Sequence, residues 1–354
     1  MTRIAAVHGV LPPHRYEQHE ITDALAALGS VPGGGRAVLD RMHAASTVRS
    51  RQLAMPLERY GTLTGFGASN DCFIEVALEL GEQAVSAALD EAGLSARDVD
   101  LVISTSVTGI AAPSIEARLA GRLGLRPDVK RVPVFGLGCV AGAAGLARLH
   151  DYLSGHPDGV AVLLSVELCS LTLQSDDASA ANLVAGSLFG DGAAAVVAVG
   201  RDHHGGRSDD GPVVVATRSH LYPDTERMLG WDIGDRGFQI VLGSDLPDLV
   251  RRHLGPEVRE FLADHDLKPQ DVTGWVCHPG GPKVLEAVRE TLDLPARALE
   301  LTWRSLAEVG NLSSASVLHI LRDTLALDRP LPGSAGLVLA MGPGFCSELV
   351  LLRW

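Results

Sequence analysis

The chain has 354 residues, of which 46% are hydrophobic, and this size supports a globular protein with a large core built from two units. Its formal net charge of −13 argues against a nucleic-acid partner, because nucleic acid is bound by a basic face. The sequence contains neither a transmembrane-length apolar run nor a signal-peptide pattern, so we expect no membrane partner and a cytoplasmic location.

Arginines are concentrated in the segment 36–59, which contains Arg36, Arg41, Arg49, Arg51 and Arg59. Such a segment can form a basic patch for a small anionic substrate even in an acidic chain. It can equally be a solvated helix and loop, and the sequence leaves both interpretations open. The glycine-rich stretch 31–35 before it predicts a flexible surface connection.

The chain repeats itself at a nearly constant offset. The segment 94–103 resembles 267–276, with Asp98 and Asp271 matching at an offset of 173 residues. The dipeptide at 138–139 matches that at 310–311 at an offset of 172, and the apolar run 159–164 matches 334–339 at an offset of 175. Three matches in the same order indicate an internal duplication.

Each half alternates strands with helices, which predicts an α/β fold with mostly parallel sheets buried on both faces. The first half carries an insertion at roughly 167–187. The polar loop 202–211 predicts the boundary, giving halves 1–205 and 206–354 of one catalytic unit. Its two adjacent histidines lack further ligands at suitable spacing, so no metal site is expected.

The chain has five cysteines and no Cys-x-x-Cys pair, so neither a disulfide framework nor a zinc site is expected. Cys72, Cys277 and Cys346 are interpreted as core residues. Cys139 differs, because it follows a glycine and precedes a run of small apolar residues that predicts a buried helix. A thiol at a helix N-terminus has a lowered pKa, so we predict that Cys139 is a nucleophile.

Two further residues share the turn context of Cys139. His278 ends a predicted strand of the second half, and Asn311 begins the helix that matches the one after Cys139. Because ligands bind where strand ends face helix starts, pseudo-twofold symmetry would bring all three residues to one cleft.

A Cys/His/Asn set can serve hydrolysis or condensation. In hydrolysis the imidazole is a base and the amide orients it. In condensation His278 Nε2 and Asn311 Nδ2 both donate to a thioester carbonyl, which becomes an enolate when a malonyl thioester loses CO₂. Each donor of such an oxyanion hole typically contributes roughly 3–4 kcal/mol. The duplicated sheet favours condensation.

Five motifs, at 138–142, 188–193, 278–282, 310–315 and 342–344, resemble those of type III polyketide synthases, the chalcone-synthase-like branch of the thiolase fold. The resemblance covers essentially the whole chain and implies a duplicated αβαβα five-layer fold. It also implies a homodimer that uses acyl-CoA and malonyl-CoA without a cofactor. The related ketoacyl-ACP synthase III enzymes usually carry Gln-Ala-Asn after the histidine, where this chain has Pro-Gly-Gly.

The resemblance also implies a role for each matching residue. Cys139 would accept the starter acyl group, and His278 with Asn311 would drive decarboxylation of malonyl-CoA. Phe189 and Phe238 would form a gate between the CoA tunnel and the cavity. The residues expected to shape the cavity are Gly280, Gly342 and Pro343. The residues expected to contact CoA are Arg41, Arg49 and Arg51. Ala45 stands where the family has another basic contact.

The starter is predicted from small side chains. Ala112 occupies the position where plant enzymes place a methionine from the partner subunit. Thr108 and Cys169 match tunnel residues of a mycobacterial alkylpyrone-forming relative, and Thr172 and Ser313 match further cavity positions. The leading hypothesis is therefore a medium- or long-chain fatty acyl-CoA starter.

Other functions remain open. A malonyl-primed synthase resembling tetrahydroxynaphthalene synthase would carry a cysteine near Val107, which this chain lacks. A single-condensation enzyme like ketoacyl synthase III, an acyl-CoA-binding protein and a hydrolase are the remaining alternatives.

For ring closure, Glu167 and Ser313 match two members of a threonine–glutamate–serine set that directs aldol closure. Val107 stands at the threonine position, which favours lactonisation to an α-pyrone over a resorcinol.

Overall fold

The computed structural model describes residues 2–27, 35–205 and 210–354. The predicted connection at 31–35 lies outside the described residues except for Gly35, and residues 206–209 of the predicted boundary loop also lie outside them. Within the described ranges, none of the helices combines the length and apolarity that crossing a membrane requires.

The strands in these ranges are β1 (Thr2–Val10), β2 (His14–Glu17), β3 (Ser50–Leu53), β4 (Leu101–Thr105), β5 (Lys130–Val134), β6 (Val160–Leu168), β7 (Asp191–Gly200), β8 (Val213–Leu221), β9 (Leu229–Gly234), β10 (Gly237–Leu242), β11 (Val272–Cys277), β12 (Ala335–Gly342) and β13 (Cys346–Arg353). The helices are α1 (Gln18–Ala27), α2 (Arg36–Ala45), α3 (Phe66–Ala92), α4 (Ile115–Leu123), α5 (Ala141–Gly155), α6 (Ala180–Leu188), α7 (Leu246–Leu249), α8 (Gly255–Ala263), α9 (Pro282–Thr291), α10 (Glu300–Val309) and α11 (Ser316–Leu327).

Nine strands form one sheet in the order β11-β12-β13-β8-β1-β7-β6-β4-β5. Reading outward from the centre, β8, β13, β12 and β11 mirror β1, β7, β6 and β4. Within the described part of the sheet, β1 and β8 join the two halves through two residue pairs, Thr2 with Val214 and Arg3 with Val213. The strands related by this symmetry include β4 with β11 and β6 with β12, which are the segments that the repeat had matched.

Pairing within the sheet is mixed. The parallel pairs are those of β4 with β5 and β6 and of β11 with β12. The other five pairs in the described sheet are antiparallel, because β1, β7, β8 and β13 alternate in direction. The turn between β12 and β13 is too short for a helical crossover, so this pair must be antiparallel. The predicted parallel pairing is thus found in the outer part of each half.

Side chains of the inner strands alternate between two cores. In β6, Val160 and Val162 face a core with α3, whereas Ala161 and Leu163 face a central core with α5 and α11. In β12 the outward-facing residues, such as Leu337, contact α8 and α9 instead. These strands are therefore covered on both faces, as continuous apolar runs require. The two halves of the nine-stranded sheet lie on opposite sides of α5 and α11, so the layers run helix, half-sheet, helix pair, half-sheet, helix, which confirms the five-layer thiolase-like fold.

Candidate active site

Cys139 lies in a 3₁₀ turn, Gly138–Val140, that leads directly into α5. Gly138 has a φ of +55°, and a Cβ there would lie 2.7 Å from the Pro343 ring, so only glycine fits this turn. The turn holds the Cys139 thiol at the start of a buried helix, with 8% of the residue exposed.

His278 and Asn311 come from two neighbouring segments of the second half. His278 directly follows β11, and its N–H donates to the Leu339 carbonyl across the sheet at 2.8 Å. Asn311 donates its N–H to Leu188 O at 2.8 Å, which fixes it beside the end of α6. Asn311 Nδ2 and His278 Nε2 lie 3.4 Å apart, so one carbonyl oxygen can reach both.

Ser313 connects this pair to the thiol. Its N–H donates to Asn311 Oδ1 at 2.8 Å, which turns the Nδ2 of that amide toward His278. Its hydroxyl oxygen lies 3.5 Å from Cys139 Sγ. The structure therefore brings Cys139, His278 and Asn311 together as the duplication had predicted, and Ser313 is the link between them.

The protonation states differ from the expectation. Burial raises the pKa of Cys139 to about 12, although the hydrogen bond to Ser313 lowers it in part. Burial also lowers the pKa of His278 to about 3. The prediction of a lowered thiol pKa was wrong for this resting pocket, because removing the thiolate from water outweighs the helix N-terminus. Both groups are neutral, and the proton must move during reaction.

Glu167 organises the floor of the site. It is fully buried and accepts hydrogen bonds from Ser314 Oγ at 2.6 Å, Thr108 Oγ1 at 2.9 Å, Val107 N at 3.1 Å and Ser313 Oγ at 3.2 Å. Burial raises the pKa of Glu167, and these donors oppose the increase. The sequence analysis had argued against aldol closure because Val107 stands at the threonine position of the threonine–glutamate–serine set. That argument fails, since the neighbouring Thr108 donates a threonine hydroxyl to Glu167.

A cavity of about 400 Å³ adjoins the thiol. The predicted cavity residues in its wall are Thr108, Cys169, Thr172, Phe189, Ser313 and Pro343, together with Cys139 itself. The wall continues along α1 through Ile21 and Leu25, and Trp231 of β9 closes another side.

Four predicted cavity residues do not line this space. Ala112 is exposed on the loop before α4, so it does not reach the cavity of its own chain. Phe238 packs edge-on against Phe66, with ring centroids 5.4 Å apart, behind the wall that Trp231 forms. Gly342 faces Val140, and Gly280 faces Val284. Phe238, Gly280 and Gly342 therefore pack against neighbouring residues rather than line this cavity, whereas the position of Ala112 concerns the cavity of a partner subunit and stays a prediction.

The predicted CoA-contacting arginines occupy three different environments. Arg41 is exposed on α2, as a surface contact requires. Arg49 is also exposed, lies 3.6 Å from Glu308 and borders a separate polar cavity of about 580 Å³. Arg51 is only 2% exposed, and its Nη1 donates to the Phe189 carbonyl at 2.6 Å. Arg51 also lines the cavity that adjoins the thiol, so it positions Phe189 and its CoA contact stays a prediction.

Sequence reasoning missed a set of polar groups in the cavity wall. Tyr60, Ser170 and Gln174 line the cavity, and Ser170 is bonded to the buried Asp191. Asp191 had a signal, since it is a carboxylate within an apolar strand motif, but nothing in the pattern around Tyr60 pointed to the site. Among the described residues, no group of three or more His, Cys, Asp or Glu side chains could hold a metal ion.

Two family models match this chain. The N-terminal domain of chalcone and stilbene synthases matches residues 3–203, and their C-terminal domain matches residues 213–354. The chain belongs to the chalcone and stilbene synthase family. It is therefore a type III polyketide synthase, an enzyme of the acyltransferase class, and the resemblance stated from its motifs is confirmed.

Several relatives cover nearly the whole chain. A 1,3,6,8-tetrahydroxynaphthalene synthase from Streptomyces peucetius subsp. caesius is 62% identical over 353 residues, which is 100% of this chain and 93% of that protein. The alpha-pyrone synthesis polyketide synthase-like Pks18 from Mycobacterium tuberculosis is 30% identical and covers 99% of this chain and 91% of its own. The crystal structure of tetrahydroxynaphthalene synthase from Streptomyces coelicolor A3(2) has a TM-score of 0.93 at 29% identity, covering 99% of both chains.

Proposed function

We propose that this enzyme condenses malonyl-CoA units by repeated decarboxylation, takes malonyl-CoA also as its starter, and closes the chain to a polyhydroxylated naphthalene. The chemistry is carried by one observation: the cavity has Cys139 in its wall, and Ser313 links that thiol to the His278–Asn311 pair. The choice of starter is supported by the relative at 62% identity.

In the first step Cys139 attacks the thioester carbonyl of the starter. Because the thiol and the imidazole are both neutral at rest, His278 accepts the thiol proton as sulfur attacks. The CoA thiolate leaves and takes up a proton from solvent, the acyl group stays on Cys139, and His278 keeps on Nε2 the proton that it donates in the next step. Burial of the site excludes water, which protects this thioester from hydrolysis.

In the second step malonyl-CoA loses CO₂. His278 Nε2 and Asn311 Nδ2 donate to its thioester carbonyl, where negative charge develops as the carboxylate leaves. Each donor is worth roughly 3–4 kcal/mol in such a site. The resulting enolate carbon attacks the acyl group on Cys139, forms the new carbon–carbon bond and releases the sulfur for the next round. The proposed route uses no cofactor, since the thioester carbonyl itself takes up the charge that decarboxylation releases.

The polar cavity wall supports a carbonyl-rich intermediate. Tyr60, Ser170, Thr172 and Gln174 place polar groups in the wall of the same cavity as Cys139. A chain built only from malonyl units carries a carbonyl on every second carbon and can use these groups, whereas an alkyl chain cannot. We therefore rank malonyl priming above the fatty acyl starter that the sequence had favoured.

A fatty acyl starter remains the second candidate because of the α1 side of the cavity. Ile21, Leu25, Leu57 and Leu173 form an apolar arm there that an alkyl chain could occupy. The 30% identical Pks18 is named for alpha-pyrone synthesis.

We also propose that the enzyme is a homodimer with CoA thioesters as its substrates. Strand β5 is an exposed sheet edge, and Val132, Phe135 and Leu137 are exposed apolar residues on or beside it. An unprotected apolar edge favours pairing with a second copy. Light scattering should give about twice 37.2 kDa, and a monomer would contradict the dimer. The cytoplasmic location stays a prediction.

Purified enzyme with labelled malonyl-CoA tests the function directly. We expect a polyhydroxynaphthalene from malonyl-CoA alone, and no such product from Cys139→Ala. Acyl-CoA starters of increasing length are then added in competition. Preferential use of starters longer than about six carbons would replace malonyl priming with the second candidate. Hydrolysis of acyl-CoA without malonyl consumption would instead indicate a hydrolase, and binding without turnover a binding protein.

A further inference from the structure

A chain of oxygen atoms leads from the cavity wall into the core. Tyr60, in the 3₁₀ turn Leu57–Thr62, lines the cavity. Its hydroxyl oxygen lies 2.5 Å from Ser170 Oγ, and the Ser170 hydroxyl donates to Asp191 Oδ2. The cavity is thus connected to a buried carboxyl group through two hydroxyls.

Backbone donors fix the inner end of this chain. Asp191 is fully buried at the start of β7, where its Oδ1 accepts the Ser170 N–H at 2.8 Å and its Oδ2 accepts the Ala54 N–H at 2.6 Å. Neither backbone donor can release a proton. Among its hydrogen bonds, only the Ser170 hydroxyl can exchange a proton with Asp191, and Ser170 leads to Tyr60.

The surroundings of Asp191 set its acidity. The titratable groups near it are Arg51 on β3, Tyr60 on the 3₁₀ turn, Cys72 on α3 and Cys169 beside Ser170. Burial raises the pKa of Asp191 to about 6, while Arg51 and the three hydrogen-bond donors limit the increase. A carboxyl group poised near the working pH can both accept and return a proton.

We propose that Tyr60 moves protons between the polyketide and Asp191 during ring closure, with Ser170 as the intermediate carrier. This proposal rests on the proposed polyketide synthesis and adds a group for its last step. Ring closure needs an acid–base group in the cavity, because a methylene carbon must lose a proton and a carbonyl oxygen must gain one.

The step balances without any further reactant. Tyr60 Oη takes a proton from the methylene between two carbonyls as its own proton passes to Ser170, and the Ser170 proton passes to the Asp191 carboxylate. The resulting enolate carbon forms a bond to a ketone carbon, whose carbonyl π pair moves to its oxygen. The relay then runs backward and protonates that oxygen. One carbon–hydrogen bond has been exchanged for one oxygen–hydrogen bond, and Asp191 is again ionised.

The test compares the amount of naphthalene product, which forms by carbon–carbon closure, with the amount of lactone, which forms by carbon–oxygen closure. When carbon-carbon closure is slow, an enol oxygen attacks the thioester and releases a lactone instead. Tyr60→Phe removes one hydroxyl and keeps the ring, and the readout is the ratio of the two products, which does not depend on how much malonyl-CoA is consumed in total. The ratio of naphthalene product to lactone should fall about tenfold or more, since general acid–base groups typically contribute at least 10²-fold and some closure is spontaneous. Ser170→Ala should lower the ratio similarly, because it removes the intermediate carrier while the Tyr60 hydroxyl itself is kept.

Tyr152→Phe is the matched control, since Tyr152 contacts Lys130 and His156 outside the cavity, and its ratio should equal that of the wild type. In the wild type the ratio should also rise as pH increases through the pKa of Asp191, where the carboxylate becomes available. Tyr60→Phe should lack this rise.

Three results would overturn the relay: an unchanged ratio in Tyr60→Phe, a fall in Tyr60→Phe that Ser170→Ala does not share, or a pH profile common to both enzymes. If the wild type makes nothing from malonyl-CoA alone, malonyl priming is refuted. The relay is then tested with a fatty acyl-CoA starter, and the measured ratio is that of carbocyclic product to pyrone. The relay and the starter are therefore judged separately.

Discussion

The two halves approach closely where α5 passes the turn before α11, and Gly142 makes this contact possible. A Cβ at Gly142 would lie 2.2 Å from the Ser314 carbonyl oxygen and 2.7 Å from Val317 Cγ1. Real Cβ atoms essentially never lie within 3.0 Å of such a neighbour, so Gly142→Ala must push the two backbones apart by at least about 0.8 Å.

The expected destabilisation follows from two opposing effects. Overpacking costs about 1–3 kcal/mol, and the upper end applies because the obstacle is a backbone carbonyl that cannot rotate away. Alanine recovers about 1 kcal/mol through its better helix propensity. The free energy of unfolding of Gly142→Ala should therefore fall by about 2 kcal/mol. Gly121→Ala on α4 is the control, since nothing lies within 4 Å of a Cβ there, and it should be neutral or stabilising.

Activity should suffer more than stability. The displaced turn carries Ser314, which binds Glu167 at 2.6 Å, and Ser313, which orients Asn311 and contacts the thiol. Misplacing reacting groups by about 1 Å costs on the order of 10²-fold in rate. Urea denaturation and malonyl-CoA decarboxylation under matched conditions measure both effects. A Gly142→Ala enzyme as stable and active as Gly121→Ala would refute the claim that this close contact sets the site geometry.

Three further predictions concern the reacting residues. Cys139→Ala should abolish product and the acyl-enzyme mass while leaving the circular dichroism spectrum unchanged, and residual acylation would contradict its role. Asn311→Ala should lower CO₂ release by about 10²–10³-fold yet still acylate Cys139, as intact-protein mass reports, because it removes one oxyanion donor. Alkylation of Cys139 by iodoacetamide should accelerate about tenfold per pH unit between about pH 7 and 9, since burial raises the pKa of its thiol to about 12. A flat pH profile would instead reveal a thiolate already formed.

The duplication is the clearest feature of the fold that could be predicted from local sequence patterns alone. The matches around Asp98 and Asp271 depend on runs of apolar residues and on turn signals, which are local properties of the chain. Their symmetry then placed Cys139 and Asn311 correctly, because equivalent turns of a pseudo-twofold structure face one another. The antiparallel strands β7 and β13 were not anticipated, since strand direction depends on the path of the connection rather than on the strand itself.

Neighbouring residues proved harder to assign than distant motifs. Val107 and Thr108 are adjacent, and the sequence placed Val107 at the position of the hydroxyl that contacts Glu167. The structure gives that contact to Thr108 at 2.9 Å. Similarly, Arg49 lies just before β3 and is exposed, whereas Arg51, two residues further on and within β3, is buried against Phe189. Motif matching does not resolve such differences, because burial and hydrogen bonding depend on which other elements pack against a residue.

The sequence by itself determined the duplicated fold and the three reacting residues, because glycine turns and apolar periodicity are encoded within short segments. Only the tertiary structure decided the neutral state of Cys139 and His278, the hydroxyls around Glu167 and the path from Tyr60 to Asp191. The physical reason is that acidity and hydrogen bonding depend on burial and on through-space partners. Tyr60 and Ser170 are 110 residues apart in the chain, and only folding sets the distance between their hydroxyls.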